Sequence, residues 1–89
     1  MTLSILIVNW NTRELLRDCL ISIYRSDYQD SFEVIVVDNA STDKSAELVA
    51  TEFKDAILMP LRQNKGYAAG NNTGLAKASG EFLLTLNPD

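Results

Sequence analysis

Two acidic residues follow apolar runs at places where a parallel sheet would bring them to one rim. Asp38 comes directly after the run 34–37, and Asn87-Pro88-Asp89 directly after the run 82–86. Open α/β sheets bind ligands just outside the carboxyl ends of their strands, and Asn87 and Asp89, at i and i+2, project to the same side of an extended segment. A wider polar set, Asn9, Asn11, Asp38, Asn39, Asn64, Asn72, Asn87 and Asp89, falls at such ends or in the loops that follow. Amides and carboxylates suit a neutral ligand read by hydrogen bonds. Asp38 can accept from the imide N–H of a pyrimidine base or from a ribose hydroxyl, and Asp89 can hold a hard divalent cation that also binds phosphate oxygens. The same residue types form turns and helix caps, so spacing alone leaves both readings open.

The bulk composition narrows the chemistry. At 46% hydrophobic and 22% charged, the 89 residues have a globular rather than a disordered balance, enough for one small domain or part of a larger one. A net charge of -4 opposes non-specific nucleic-acid binding, which needs a basic field. An anionic ligand therefore needs local compensation from backbone N–H groups, a cation, or single residues such as Arg62 and Lys65. One cysteine and no histidine exclude a disulfide framework, a zinc site and Ser-His or Cys-His nucleophile pairs within the chain. Cys19 falls on an apolar helix face and reads as core. No run is long enough to span a bilayer and no basic leader opens the sequence, which gives the expectation of a cytoplasmic protein, either free or peripheral to the inner face of the membrane.

These residues need elements to position them. Residues 3–8 read as a buried strand. In 13–25, Leu15, Leu16, Cys19, Leu20, Ile23 and Tyr24 recur on one helix face, with Asn11 and Glu14 placed to cap its start. Residues 32–37 are β-branched and apolar, hence a second strand. Ser41-Thr42-Asp43 offers caps for a second helix, whose apolar side is Ala46, Val49, Ala50 and Phe53. Residues 56–61 form a third strand that contains Pro60, which suits an edge. A loop into a helix rich in small residues follows over 66–78, then a fourth strand over 81–86. The alternation predicts an α/β fold, a Rossmann-like parallel sheet of about four strands in the order 3-2-1-4. Two helices would cover one face and the third the other. Asp43 and Glu47 read as partners of helix dipoles.

Three common α/β sites are missing their residues. The dinucleotide fingerprint needs glycines after strand one, where Asn9-Trp10-Asn11-Thr12 has none; a P-loop motif is absent; a phospho-receiver would need an acidic cluster at the same place. Four ordered motifs point elsewhere: Val8-Asn9-Trp10-Asn11, Val36-Val37-Asp38-Asn39-Ala40-Ser41-Thr42-Asp43, Asn64-Lys65-Gly66-Tyr67-Ala68-Ala69-Gly70-Asn71-Asn72-Thr73-Gly74 and Leu84-Thr85-Leu86-Asn87-Pro88-Asp89. Together they span the chain and resemble the family 2 inverting glycosyltransferases of the GT-A fold, with the Asn-Pro-Asp motif most like the rhamnosyltransferase branch.

The resemblance implies a donor-binding role for residues 1–89, the nucleotide-sugar half of a GT-A domain whose acceptor half would lie outside them. Asp38 matches the acid that hydrogen-bonds the nucleotide base, and Asn9 the strand-one segment beside it. Gly66, Asn72 and Gly74 match the loop and helix beside the nucleotide. Asn87 and Asp89 match the first and last positions of the Asp-x-Asp motif, whose last acid binds the metal. The implied nucleotide-sugar-binding set is Asn9, Asp38, Asn39, Asn64, Gly66, Asn72 and Asn87, with Asp89 on a divalent cation, Mg or Mn. Asn87 departs from the usual aspartate, and Asn71 stands where many members carry arginine. The implied partners are a UDP- or dTDP-sugar donor and a glycan or lipid-linked acceptor. No catalytic residue is expected among these 89, the base lying beyond Asp89. A non-catalytic nucleotide-binding or scaffold module of the same fold is the alternative, and self-association through strand four is expected of the isolated chain.

Overall fold

A computed structural model of the chain describes residues 2–28 and 30–88. The elements alternate throughout: β1 (Leu3–Asn9), α1 (Arg13–Tyr24), β2 (Phe32–Asp38), α2 (Ser45–Glu52), β3 (Ile57–Pro60), α3 (Tyr67–Lys77) and β4 (Phe82–Leu86). All strand pairs are parallel and the order is β3-β2-β1-β4, as the alternation predicts. Boundaries differ from expectation at the functional end. β1 and β2 each run one residue further, so that Asn9 and Asp38 are a registered pair inside the ladder rather than the first residues after it.

The two central strands are apolar on both faces because helices cover both. Ile5, Ile7, Val34 and Val36 pack under Leu16 and Leu20 of α1 and Val49 of α2. The alternate residues, Leu6, Val8, Ile35 and Val37, form the second layer beneath α3. That division into two helices and one is the predicted arrangement. The α2 face is a correction: Ser45, Leu48 and Val49 are buried at i, i+3, i+4, whereas Ala50 is exposed. In α1, Leu16 and Leu20 face the sheet, and Leu15 and Tyr24 lie at the margin.

Helix α3 sits unusually close to the sheet because its inward face has almost no side chains. A Cβ on Gly74 would lie 2.1 Å from Leu6 Cδ1, and one on Gly70 would lie 2.7 Å from Val8 Cγ1. Both approaches are well inside van der Waals contact, so a larger residue there would have to displace the Leu6 or Val8 side chain or push α3 outward. β3 is the short edge, and its Pro60 falls at the last ladder position, where a missing N–H costs nothing. The other edge, β4, pairs only with β1 and leaves Phe82, Leu83 and Leu84 exposed.

Candidate functional site

At the carboxyl ends of the strands, a dense polar network joins the loops that leave β1 and β2. The Asn9 side-chain amide donates to Asp38 Oδ1 over 3.0 Å, and the Ser41 hydroxyl donates to the same oxygen over 2.7 Å. Asp38 Oδ2 accepts from the Ser41 backbone N–H at 3.1 Å. The Thr12 hydroxyl donates to Asn9 Oδ1 at 2.7 Å, and the Asn39 N–H to the Asn9 carbonyl at 2.8 Å. Every carboxylate oxygen of Asp38 is thus engaged, and the residue is 3% exposed.

Asp43 extends this network to both helices of that face. One of its oxygens accepts from the Arg13 N–H at 3.0 Å, the first residue of α1; the other accepts from the Ser45 N–H at 3.1 Å and from the Ser45 hydroxyl. One carboxylate so caps two helices. The sequence placed Asn11 and Glu14 at the α1 start, but α1 receives no side-chain bond at its own N-cap. Asn11 points the other way, its Oδ1 accepting from the Thr42 N–H at 2.8 Å. Burial pushes the Asp43 carboxyl upward, but the bonds from the Ser45 hydroxyl, the Arg13 N–H and the Ser45 N–H outweigh it and leave its pKa below the ordinary carboxyl range.

Beside this network, on the α3 side of the sheet, lies an open cavity of about 270 Å³. It is lined from the strand ends by Val8, Asn39 and Asn87 with Pro88, from the loop into α3 by Asn64, Gly66 and Tyr67, and from the turn after β1 by Trp10 and Thr12. Strand parity explains the membership. Val8 faces α3 with Leu6, and in register Asn39 and Asn87 fall on that same face, whereas Asn9 and Asp38 share the α1–α2 face with Ile7 and Val36.

Of the residues expected to bind a nucleotide sugar, Asn39, Asn64, Gly66 and Asn87 are therefore brought together. Asn9 and Asp38 do not line the cavity: they are buried on the other face of the sheet, in the polar network that latches the ends of β1 and β2 together. Asn72, two residues from both inward-facing Gly70 and Gly74, is exposed on the outer side of α3 and does not reach the cavity. Asp89 lies outside the described residues. Asn71 has a side-chain oxygen buried without a hydrogen-bond partner among the described residues.

Asn39 also fastens the loop before α3. Its amide donates to the Gly66 carbonyl at 3.0 Å, and its oxygen accepts from the Lys65 N–H at 3.2 Å. Asn64 Oδ1 accepts from the Gly66 N–H at 2.8 Å. Gly66 has φ of +91°, which only glycine adopts without strain, and it directs the chain into α3. The α3 start has no acidic residue and no side-chain cap, so its positive dipole end is uncompensated where it meets the cavity. Sequence reasoning passed over Trp10 and Tyr67, the two large aromatics of the cavity, 55% and 53% exposed. The signal was present: aromatic residues flanked by turn formers at strand-end loops have no core to enter.

Among the described residues no group of three or more His, Cys, Asp or Glu gathers as a metal cage. At the cavity they offer the amides of Asn39, Asn64 and Asn87, an uncharged set in which the Asn39 and Asn64 oxygens already accept from the Lys65 and Gly66 N–H groups. That set fits a cation shared with phosphate oxygens and one further carboxylate better than a cation held by the protein alone. Three larger cavities lie elsewhere, one of them of about 330 Å³ between the segment after β3 and α3, lined by Leu61, Arg62, Gln63, Lys65, Ala69 and Thr73. Another of about 500 Å³ sits between the C-terminal ends of α1 and α2, where Arg17 pairs with Glu52 at 3.3 Å. An apolar groove of about 400 Å³ runs beside β4. The two largest do not lie at the carboxyl ends of the strands, whereas the 330 Å³ cavity follows β3 there. Burial raises the Cys19 thiol pKa, in keeping with its place against the core. No helix among the described residues is long and apolar enough to cross a membrane.

Comparison with known proteins bears on this geometry. Residues 4–89 match the family model described as Glycosyl transferase family 2. An uncharacterized glycosyltransferase of Bacillus subtilis strain 168, YfnE, is 32% identical over 91 residues, covering 100% of this chain and 23% of that protein. The mannosyltransferase PcManGT from Pyrobaculum calidifontis, solved with GDP-Man and Mn2+, superposes with a TM-score of 0.88 at 32% identity, covering 98% of this chain and 27% of that one. Staphylococcus aureus TarS 1-349 with UDP-GlcNAc gives 0.89 at 30% identity, covering 100% and 27%. These structural neighbours are GT-A glycosyltransferases. The chain spans between 13% and 23% of the length of curated relatives that it matches.

Proposed function

The chain belongs to glycosyl transferase family 2, and from that premise we propose that residues 1–89 bind the nucleoside-diphosphate part of a sugar donor in the cavity between Trp10, Asn39, Gly66 and Asn87. The single observation that carries this reading is the place of that cavity. It lies at the carboxyl ends of β1, β2 and β4, beside an uncompensated helix N-terminus, and is lined by amides and two exposed aromatics. A flat base suits the aromatic faces, ribose hydroxyls suit the amides, and a diphosphate suits the α3 start.

In this reading Asn39, Asn64, Gly66 and Asn87 contact the donor directly. Asn9 and Asp38 act from the other face of the sheet, by fixing the loops that line the cavity. Asn72 has no direct part. Asp89 would hold a divalent cation, Mg or Mn, together with the diphosphate, and the bound cation would stabilise the charge of the leaving diphosphate. The parent activity is sugar transfer from a UDP- or dTDP-sugar to a glycan or lipid-linked acceptor, in polysaccharide biosynthesis at the cytoplasmic side. The rhamnosyl donor is a finer proposal that rests on Asn87-Pro88-Asp89. The base that deprotonates the acceptor would come from outside residues 1–89, so the isolated chain binds without turnover. Because β4 has an unpaired edge with Phe82 and Leu84 exposed, we also expect two copies of the isolated chain to pair there. Leu84→Lys should reduce the sedimentation coefficient at high concentration, and a parent chain that sediments as a monomer rules this pairing out.

The test is a titration with UDP, dTDP and GDP, with and without Mn2+, read by the fluorescence of Trp10, the only tryptophan in the chain. UDP or dTDP with Mn2+ should change the emission saturably, and Trp10→Phe with calorimetric detection should retain weaker binding. No saturable response to any of the three nucleotides, by either method, overturns the proposal.

A further inference from the structure

Trp10 stands exposed in a turn that is otherwise fastened on every side. Before it, Asn9 is fully buried, tied through its amide to Asp38 and through its oxygen to the Thr12 hydroxyl. After it, the Asn11 N–H donates to Ser41 Oγ at 2.9 Å, and Asn11 Oδ1 accepts from the Thr42 N–H at 2.8 Å. Arg13 is held by Asp43. Asn11 has φ of +52°, a left-handed conformation that persists in a non-glycine residue when its surroundings over-determine it.

The hub of these bonds is Ser41, whose hydroxyl donates to Asp38 and accepts from Asn11, so it couples the β2 end to the turn that carries Trp10. A mobile aromatic must be immobilised when a ring closes on it, and a preset one needs no such ordering. We propose that Asn11 and Ser41 are positioning residues: they fix the turn that carries Trp10, and so set the root of its indole at the cavity in the ligand-free protein, ready to meet a planar group. The identity of that group rests on the nucleotide-sugar reading; the placement of the indole does not.

Time-resolved fluorescence anisotropy of Trp10 in the ligand-free 89-residue chain tests the placement, because a single tryptophan reports one site. In the parent chain the indole should tumble chiefly with the whole molecule. Asn11→Gly tolerates the positive φ but loses the acceptor for the Thr42 N–H, and should add a fast local component. Asn11→Asp keeps an acceptor oxygen and should behave as the parent. With Mn2+ present, nucleotide affinity should fall about three- to ten-fold in Asn11→Gly and be retained in Asn11→Asp.

Ser41→Ala, which removes the acceptor for the Asn11 N–H, carries the measurement if Asn11→Gly does not fold. Unchanged anisotropy in the folded variants overturns the proposal. So does a loosened indole with unchanged nucleotide affinity, since the placement would then serve no ligand. If the parent binds no nucleotide at all, the functional reading fails, and the anisotropy contrast between Asn11→Gly and Asn11→Asp still decides the placement by itself.

Discussion

The same two strands are joined by a carboxylate and a serine at both of their ends, yet the two rims differ in kind. At the amino end, Glu33 in β2 accepts from the Ser4 hydroxyl of β1 at 2.6 Å, and from the Ser79 N–H and hydroxyl at 2.7 and 3.0 Å; the Ser4 oxygen in turn accepts from the Gly80 N–H at 2.8 Å. This clip ties β1 and β2 to the turn between α3 and β4 and closes on itself. At the carboxyl end, Asp38 joins Asn9 and Ser41 beside an open cavity. Among the described residues every positive φ, at Asn11, Ala40, Lys44 and Gly66, lies in a loop leaving a carboxyl end. Backbone strain is tolerated where surrounding bonds hold it, and it gathers at sites that must present groups rather than merely join them. The amino-end rim reads as a fastener, and the carboxyl-end rim as a fastener that also sets out a site.

The largest effect is expected where the latch is most buried. Asp38→Ala would leave the Asn9 amide, the Ser41 N–H and the Ser41 hydroxyl without their acceptor in a buried place, and should cost about 2 to 4 kcal/mol by urea unfolding. An unchanged urea midpoint would show that water replaces the carboxylate, and that the rim is not a structural latch at all.

The amino-end clip should cost less when broken, because Glu33 is only half buried and solvent screens it. Glu33→Gln is expected to lose about 1 kcal/mol at neutral pH. Its acid behaviour sharpens the test. The hydrogen bond from Ser4, opposed by burial and aided by those from Ser79, lowers the Glu33 pKa from its ordinary value of 4.5. A lowered folded-state pKa means the unfolded chain takes up the proton first. The stabilisation is therefore complete above about pH 4.5 and is lost as the pH falls through the lower folded value. Asp43 at the other rim is shifted in the same direction from 3.8 and should act at lower pH. Unfolding midpoints measured from pH 6 down to pH 3 should fall less steeply in Glu33→Gln than in the parent. Parallel curves would remove Glu33 from the account of acid stability.

The smallest expected effect has the opposite sign. Ala40 has φ of +62° in the loop after β2, a conformation that glycine adopts without penalty. Ala40→Gly should gain about 0.5 kcal/mol, the relief of left-handed strain outweighing the added entropy of the unfolded chain. A destabilised variant would mean that the alanine methyl packs usefully, and that strain is not what distinguishes the carboxyl-end rim.

Most of the fold was legible in the residue pattern. Period-two and continuous apolar runs mark β1, β2 and β4, the recurrence of Leu16 and Leu20 marks α1, and the small residues Gly70 and Gly74 mark a helix lying close to the sheet. Less legible were features that depend on where a run ends. One further residue in β2 turns Asp38 toward α1 and α2 and Asn39 toward α3, and the sequence runs smoothly through both positions. The α2 face was misjudged because alanine at 50 is compatible with either side of a helix, so only Leu48 and Ser45 settling against the sheet decides the rotation.

What the sequence determined by itself was local and periodic: which segments are strands or helices, that the sheet is parallel in the order 3-2-1-4, and that Asn, Asp and Gly collect at one rim. These follow from backbone geometry within a few residues and from the short connections between elements. What only the tertiary structure decided was which of those polar groups meet. Asp43 caps the helix that begins at Arg13, Ser41 holds Asn11, and Asn39 holds Gly66, all pairs separated by more than 25 residues. Such pairs form because strands far apart in the chain are brought side by side. A carboxylate that looks free in the sequence can therefore be fully engaged in the fold, while the neighbouring amide faces the cavity.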